Sequence, residues 1–150
     1  MNFYNKYKHI GYASLGVPKG WKPIVKKALI EVEQVMWPRW MPMFLKRWIH
    51  YLATGNSVVR VKFWWAYRLR QYLAKGHIQD VKEKYAQLRI SFYGIKEMGD
   101  IIERAEKECE ETCQNCGGKS GVEVISSGGW YENLCDRCYT PTREVIVEKY

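Results

Sequence analysis

Apolar residues return at helical spacing along much of the chain. From Pro23, which suits a first helical turn because its missing N–H is not needed there, Ile24, Val25, Ala28, Val32, Val35 and Met36 predict a helix over 23–37, stopped by Pro38. A second helix is expected from Met41-Pro42, with Phe44, Leu45, Trp48, Ile49 and Leu52 on one side and Gly55 just past its end. Ser57 then caps a third, whose stripe is Val58, Val61, Trp65, Leu69 and Tyr72 and which Gly76 closes; the β-branched and aromatic run at 58–65 also fits the start of a strand. Over 78–93 the period changes. Val81, Glu83 and Tyr85, then Leu88, Ile90 and Phe92, alternate with polar neighbours, which predicts two short strands or one bent strand, although Tyr85-Ala86-Gln87 carries no Gly or Asn-Gly turn signal. A last helix from Ile95 to Glu111 turns Met98, Ile101, Ile102 and Ala105 inward. The first twenty residues, aromatic and punctuated by Gly, read as a strand or extended arm ending in a turn at Gly16–Gly20.

The cysteines change this picture most. Cys113-Gln-Asn-Cys116-Gly-Gly is followed, after 18 intervening residues, by Cys135-Asp-Arg-Cys138. Each two-residue gap lets two thiolates of one tight turn reach a metal at about 2.3 Å, so these four residues predict one structural Zn²⁺. Gly117 and Gly118 permit the positive φ of such a turn. Val122, Val124 and Ile125 read as one strand of a zinc ribbon, Ser127-Gly128-Gly129 as its turn, and Trp130 to Leu134 as the return. Cys109, one helical turn before Cys113, is spare: it reads as a small half-buried helix residue, with a role as an alternative ligand as the other reading. The fold class expected is α+β: a basic, aromatic-rich domain over 1–111 with a short hairpin or bent strand, then a four-cysteine zinc ribbon and tail over 112–150.

Catalysis is not expected. Four thiolates leave no open position for a hydrolytic water. Zinc deaminases place a catalytic Glu two residues after a ligand, where this chain has Asn115 after Cys113. His9, His50 and His77 all precede the ribbon and read as surface or interface residues, and no phosphate loop, G-x-S-x-G elbow or H-E-x-x-H motif is present.

Length and charge set the partner class. At 150 residues the chain is one globular unit with a possible appendix, 47% apolar and 27% charged, with 7 Trp, 11 Tyr and 4 Phe. Residues 1–89 hold 17 Lys/Arg and 4 Asp/Glu, net +13, and residues 90–150 hold 7 and 12, net −5. The basic half invites an anionic partner. With no long apolar run and no signal-peptide core at the start, a cytoplasmic protein without a membrane partner is expected, and clustered cysteines there are metal ligands rather than disulfides.

Gly20-Trp21-x-Pro23 opening a helix, Val81-Lys-Glu-Lys-Tyr85-x-x-Leu88-Arg89, Ala105-Glu106 in a helix, Cys-x-x-Cys-Gly, Gly129-Trp130 and Leu134-Cys135-Asp136 occur in this order. The set resembles a group of small uncharacterised proteins of bacteria and their bacteriophages, over residues 20–37 and 78–138, with 39–76 as an insertion or variable region. Members often close the second cysteine pair with His, where this chain has Cys138, and often have Gly-Gly at Ala86-Gln87. The resemblance implies a phage or mobile-element setting and supplies no function.

Two readings of the partner follow, with a structural or assembly part as a third. In the first, the protein binds nucleic acid through Arg60, Lys62, Arg68 and Arg70 of the third helix and Lys82, Lys84 and Arg89 of the strand region, with Trp64 as a stacking ring, while Trp37, Trp48, Trp65 and Tyr72 pack inside. In the second it is an inhibitor or adaptor, host-directed if phage-encoded, that binds a host protein complex such as a polymerase or defence system, because Pro38-Arg-Trp-Met-Pro-Met-Phe concentrates residues enriched at binding hot spots. Neither requires a small-molecule substrate.

Overall fold

The computed structural model describes residues 6–11, 15–139 and 144–145. The expected strand or arm is found only in pieces among the described residues: Lys8–Ile10 is a 3-10 turn that buries His9 and Ile10, Gly11 bridges to Ile78, and β1 (Leu15–Gly16) is a two-residue strand. The rest of that segment, 1–5 and 12–14, lies outside the described residues. A second 3-10 turn, Lys19–Trp21, leads into α1 (Lys22–Met36), with Pro23 in its first turn and Trp37 leaving it in extended conformation before Pro38.

β2 (Gly76–Lys84) and β3 (Gln87–Gly94) form an antiparallel hairpin, and β1 adds to β2 in parallel. Their pairing steps by one residue between Ile78 and Asp80, leaving Gln79 as a bulge. The hairpin's inner face, with Ile78, Val81, Leu88 and Ile90, shares one core with Met98, Ile101, Ile102 and Ala105 of α5 (Lys96–Glu110) and Val25, Leu29 and Val32 of α1. The outer face is open: Gln87, Arg89 and Tyr93 of β3 and Lys82 and Lys84 of β2 are all exposed. The chain is therefore α+β, as the pattern predicts, with α1 and α5 packed on the inner side of the sheet.

The turn the sequence leaves unsigned is a two-residue connection in which Tyr85 (φ 53°) and Ala86 (φ 61°) are both left-handed, as a type I′ hairpin requires. For residues with a Cβ that costs roughly 1–2 kcal/mol each. Three contacts hold it: Glu83 Oε1 accepts from the Ala86 N–H at 2.8 Å, the buried Asn133 side chain donates to the Ala86 carbonyl at 2.8 Å, and the Tyr85 ring meets Tyr131 edge-on with centroids 6.0 Å apart.

The middle of the chain departs from expectation. α2 (Met43–Thr54) buries Lys46, Ile49, His50, Leu52 and Ala53, while Phe44 (73% exposed) and Trp48 (52%) face outward. The expected third helix is two, α3 (Ser57–Lys62) and α4 (Trp64–Leu73), broken at Phe63. Residues 58–65 are thus helical apart from the break at Phe63. The cap is Asn56, whose side chain accepts from the Val59 N–H, and Gly76 opens β2 instead of closing a helix. The predicted stripe is largely solvent-facing: Val58, Val61, Trp65 and Tyr72 are exposed, and α4 buries only Ala66, with Leu69 and Leu73 half-covered. The apolar period identifies a helix, but α4 has apolar residues on more than one side, and small Ala66 marks the side that meets α2.

His9 and His50 are buried, contrary to a surface role, and His77 is half-buried. Glu33 of α1 contacts His9 Nε2 at 3.2 Å and Lys46 Nζ at 2.7 Å, so a carboxylate, an imidazole and an ammonium from three elements meet at the core's edge. Burial raises the Glu33 pKa, but His9 and Lys46 outweigh it and bring it from 4.5 to about 2. Burial, reinforced by Arg70, brings His50 down to about 3 and so keeps it neutral.

Because the folded value for Glu33 lies below its ordinary one, its stabilisation is complete above pH 4.5 and fades as pH falls toward 2. We predict that Glu33→Gln destabilises the protein at neutral pH by about 3 kcal/mol, since it strands the Lys46 ammonium. The gap from wild type in denaturant unfolding should narrow at acid pH, and a pH-independent gap would contradict the ion-pair account.

Candidate metal centre

Two turns bring the four predicted ligands together. The first follows α5 directly: the Cys113 N–H donates to the Gly118 carbonyl, the Gly117 N–H returns to the Cys113 carbonyl, and Gly117 takes φ 78°. Of the two expected positive-φ glycines, only Gly117 has that conformation. The second turn follows β5 (Trp130–Leu134), with the N–H groups of Cys138 and Tyr139 both donating to the Cys135 carbonyl. β4 (Glu123–Ser127) and β5 form the ribbon hairpin around Gly128 (φ 57°) and Gly129 (φ 86°), and β6 (Glu144–Val145) adds to β4. Both strands are found where expected to within a residue, with Val122 just before β4 and Ser127 ending it instead of starting the turn, and the tail at 140–143 and 146–150 lies outside the described residues.

The Sγ atoms of Cys113, Cys116, Cys135 and Cys138 all lie within 4.8 Å of one another. Four sulfurs about 2.3 Å from one ion would stand about 3.8 Å apart, so the set fits a tetrahedral thiolate site with little adjustment. N–H groups already point at sulfur: Gly118 N is 3.3 Å from Cys116 Sγ, and Asn115 Nδ2 is 3.6 Å from Cys138 Sγ. Burial works against ionisation of Cys113, yet N–H groups of Cys116, Cys135 and Asn115 outweigh it and bring its pKa down to about 6. Cys138, hydrogen-bonded with Cys116 and close to the Cys113 charge, is pushed up to about 12.

Cys109 is wholly buried in the main core, and burial with its acidic neighbours raises its pKa to about 12, so it is not half-exposed and stands outside the cluster.

The ribbon is seated on the body. Gly20 N donates to the Gln114 carbonyl at 2.7 Å, the buried Trp21 indole N–H donates to the Thr112 carbonyl at 2.8 Å, and Gln114 N donates to the Asn133 carbonyl at 2.8 Å. A Cβ on Gly20 would stand 2.2 Å from the Cys113 carbonyl oxygen, which accounts for glycine there. The Gly20-Trp21 pair singled out in the sequence is thus a latch for the first cysteine turn, a role its spacing does not announce.

The expected partner-binding residues do not form one cluster. Lys82 and Arg89 face each other across β2 and β3, with Lys84 beside them on the same open face. Arg60, Lys62, Trp64 and Arg68 are exposed on α3 and α4. Arg70 is half-buried near His50 and His77, and desolvation by its surroundings lowers its pKa. Sequence reasoning missed Tyr85, Trp130 and Tyr131, which with Glu83 and Lys84 line a cleft of about 350 Å³ where hairpin and ribbon meet. Only folding brings residues so far apart in the chain to one place.

We predict one metal ion per chain by elemental analysis. Cys135→Ser with Cys138→Ser should abolish stoichiometric loading, and Cys109→Ser should leave it unchanged. Full loading of the double variant would remove the site assignment.

Comparison with protein-family models, with curated proteins and with solved structures finds no match to this chain.

Proposed function

We propose that the protein is a non-enzymatic zinc-ribbon module that binds nucleic acid on the open face of its three-stranded sheet. The zinc assignment is supported by the four-thiolate set, which suits a borderline-soft ion that prefers tetrahedral geometry. The same set supports binding over catalysis, since a closed shell offers no position to a reacting water.

The observation that carries the reading is the cross-strand pair Lys82 and Arg89 with Lys84 beside them on the open face, next to a cleft at the hairpin's end that Lys84 lines together with Glu83 and the exposed rings of Tyr85 and Trp130. Trp130 is 76% exposed and Tyr85 66% exposed, so both large rings face solvent. Lys84 Nζ lies 5.2 Å from the Tyr85 ring centre, so cation and ring present together. Spaced cations neutralise phosphates, and an exposed ring beside them offers a stacking platform to an unpaired base. Lys82 is also tied to Asp80 at 2.6 Å, which tempers its share and leaves Arg89 and Lys84 as the stronger contributors. Exposed rings stack on unpaired bases, so single strands are favoured over duplex.

Binding to single-stranded oligonucleotides should weaken with salt at a slope of about −0.7 per phosphate neutralised. Lys84→Ala with Arg89→Ala should flatten that slope by about 1.4 in log–log units without changing metal content. Trp130→Ala should weaken affinity by about 1–3 kcal/mol while keeping the slope. Absence of wild-type binding at about 50 mM salt, where such contacts are strong, would reject the reading in favour of a protein-binding inhibitor or adaptor.

A further inference from the structure

Eleven of the sixteen exposed large apolar side chains among the described residues lie between Trp40 and Tyr72. They align on adjoining helices. Phe44, Trp48 and Tyr51 follow one outward stripe of α2, Trp64 and Tyr72 flank Arg68 along α4, and the Trp48 and Trp65 rings, 6.3 Å apart, join the two. Val58 and Val61 on α3 are 73% and 78% exposed. A monomer does not leave so much apolar surface bare without a use for it.

Charge defines what covers it. Between Glu33 and Asp80 the chain has no Asp or Glu and eight Lys/Arg. Lys46 is engaged with Glu33 and Arg70 is half-buried, but Arg39, Arg60, Lys62 and Arg68 stand exposed among the rings. A second copy would bring the same cations to the same face, so self-association is opposed. Bases gain little from Val58 and Val61, which cannot stack. A protein partner has fixed charges of both signs and asks for complementarity position by position. A uniformly anionic surface instead disfavours a carboxylate anywhere in the contact, which is the pattern found.

We propose that α2, α3 and α4 dock on an anionic lipid leaflet. Trp and Tyr rings settle at headgroup level, valines and Phe44 reach toward the acyl boundary, and Lys and Arg lay their stems along apolar surface while their heads meet lipid phosphates. No helix of the described residues is long and apolar enough to cross a membrane, so the contact is interfacial. The sequence pattern sets membranes aside for want of a span, and an interfacial contact needs none. Its residues are distinct from those on the sheet proposed for nucleic acid.

The test is co-sedimentation of the metal-loaded full chain with vesicles of phosphatidylcholine alone or with about 30 mol% phosphatidylglycerol, at about 50 and 150 mM salt. The expected result is binding to the phosphatidylglycerol vesicles with a blue shift of Trp emission, weaker at the higher salt, and little binding to phosphatidylcholine alone. Arg60→Glu with Lys62→Glu should lower affinity at least about 30-fold, and Val61→Ser with Trp64→Ser should abolish the blue shift. All four positions are exposed, so the thermal midpoint should stay at the wild-type value and report retained folding. Lys84→Ala with Arg89→Ala should bind vesicles as wild type does, whatever it does to oligonucleotides. Absence of vesicle binding by wild type, or equal loss in the sheet and helix variants, would overturn the proposal; the first outcome would leave the face to an acidic protein.

Discussion

The close approach of Gly20 to the first cysteine turn decides how the two parts of this molecule relate. A backbone without a Cβ lets the Gln114 carbonyl come within 2.7 Å of the Gly20 N–H, and the next residue, Trp21, reaches past it to the Thr112 carbonyl. Trp21 is also fully buried in the main core. One short segment is therefore shared by the body, through a large ring, and by the ribbon, through two hydrogen bonds. The ribbon's own apolar cluster is small, made of Ile125 and Leu134 with two of the cysteines, so its order depends on this seam and on the metal that the four cysteines could hold.

A second consequence runs through Asn133. Its carbonyl accepts from Gln114, inside the first Cys-x-x-Cys, and its side chain donates to Ala86 at the tip of the main hairpin. The tip is the one place among the described residues where two residues with side chains adopt left-handed backbone, a conformation that persists only when its surroundings impose it. Cysteine turn, Asn133 and hairpin tip thus form one connected unit, and the cleft between Tyr85 and Trp130 exists only while that unit is assembled. The partner binding proposed for the cleft would therefore be linked to metal loading of the cysteines through the same contacts.

The parts legible in the sequence are those governed by local rules. Cysteine spacing specifies the ligand set, and the glycines at 128–129 specify the ribbon turn. The apolar periods of α1 and α5 give both helices and their buried faces, because each has one apolar side and one polar side. The illegible parts depend on distant residues. The Tyr85-Ala86 turn has no local signal because Asn133, 47 positions away, stabilises it. His9 is buried because Glu33 comes from another element to meet it. On α4 the period is real, but it cannot say which of several apolar sides finds a partner; the result is a face of exposed rings where a core stripe is expected.

The central claim is that metal, first cysteine turn, Gly20 latch and hairpin tip order together, apart from the main core. Amide hydrogen exchange followed by NMR, with and without a chelator, tests it directly. Removing the metal should release protection at the Gly20 amide and at Ala86 while Ile101 and Ile102 of α5 stay protected. Retained protection at Gly20 and Ala86 in the metal-free protein, or simultaneous loss throughout α5, would contradict the account.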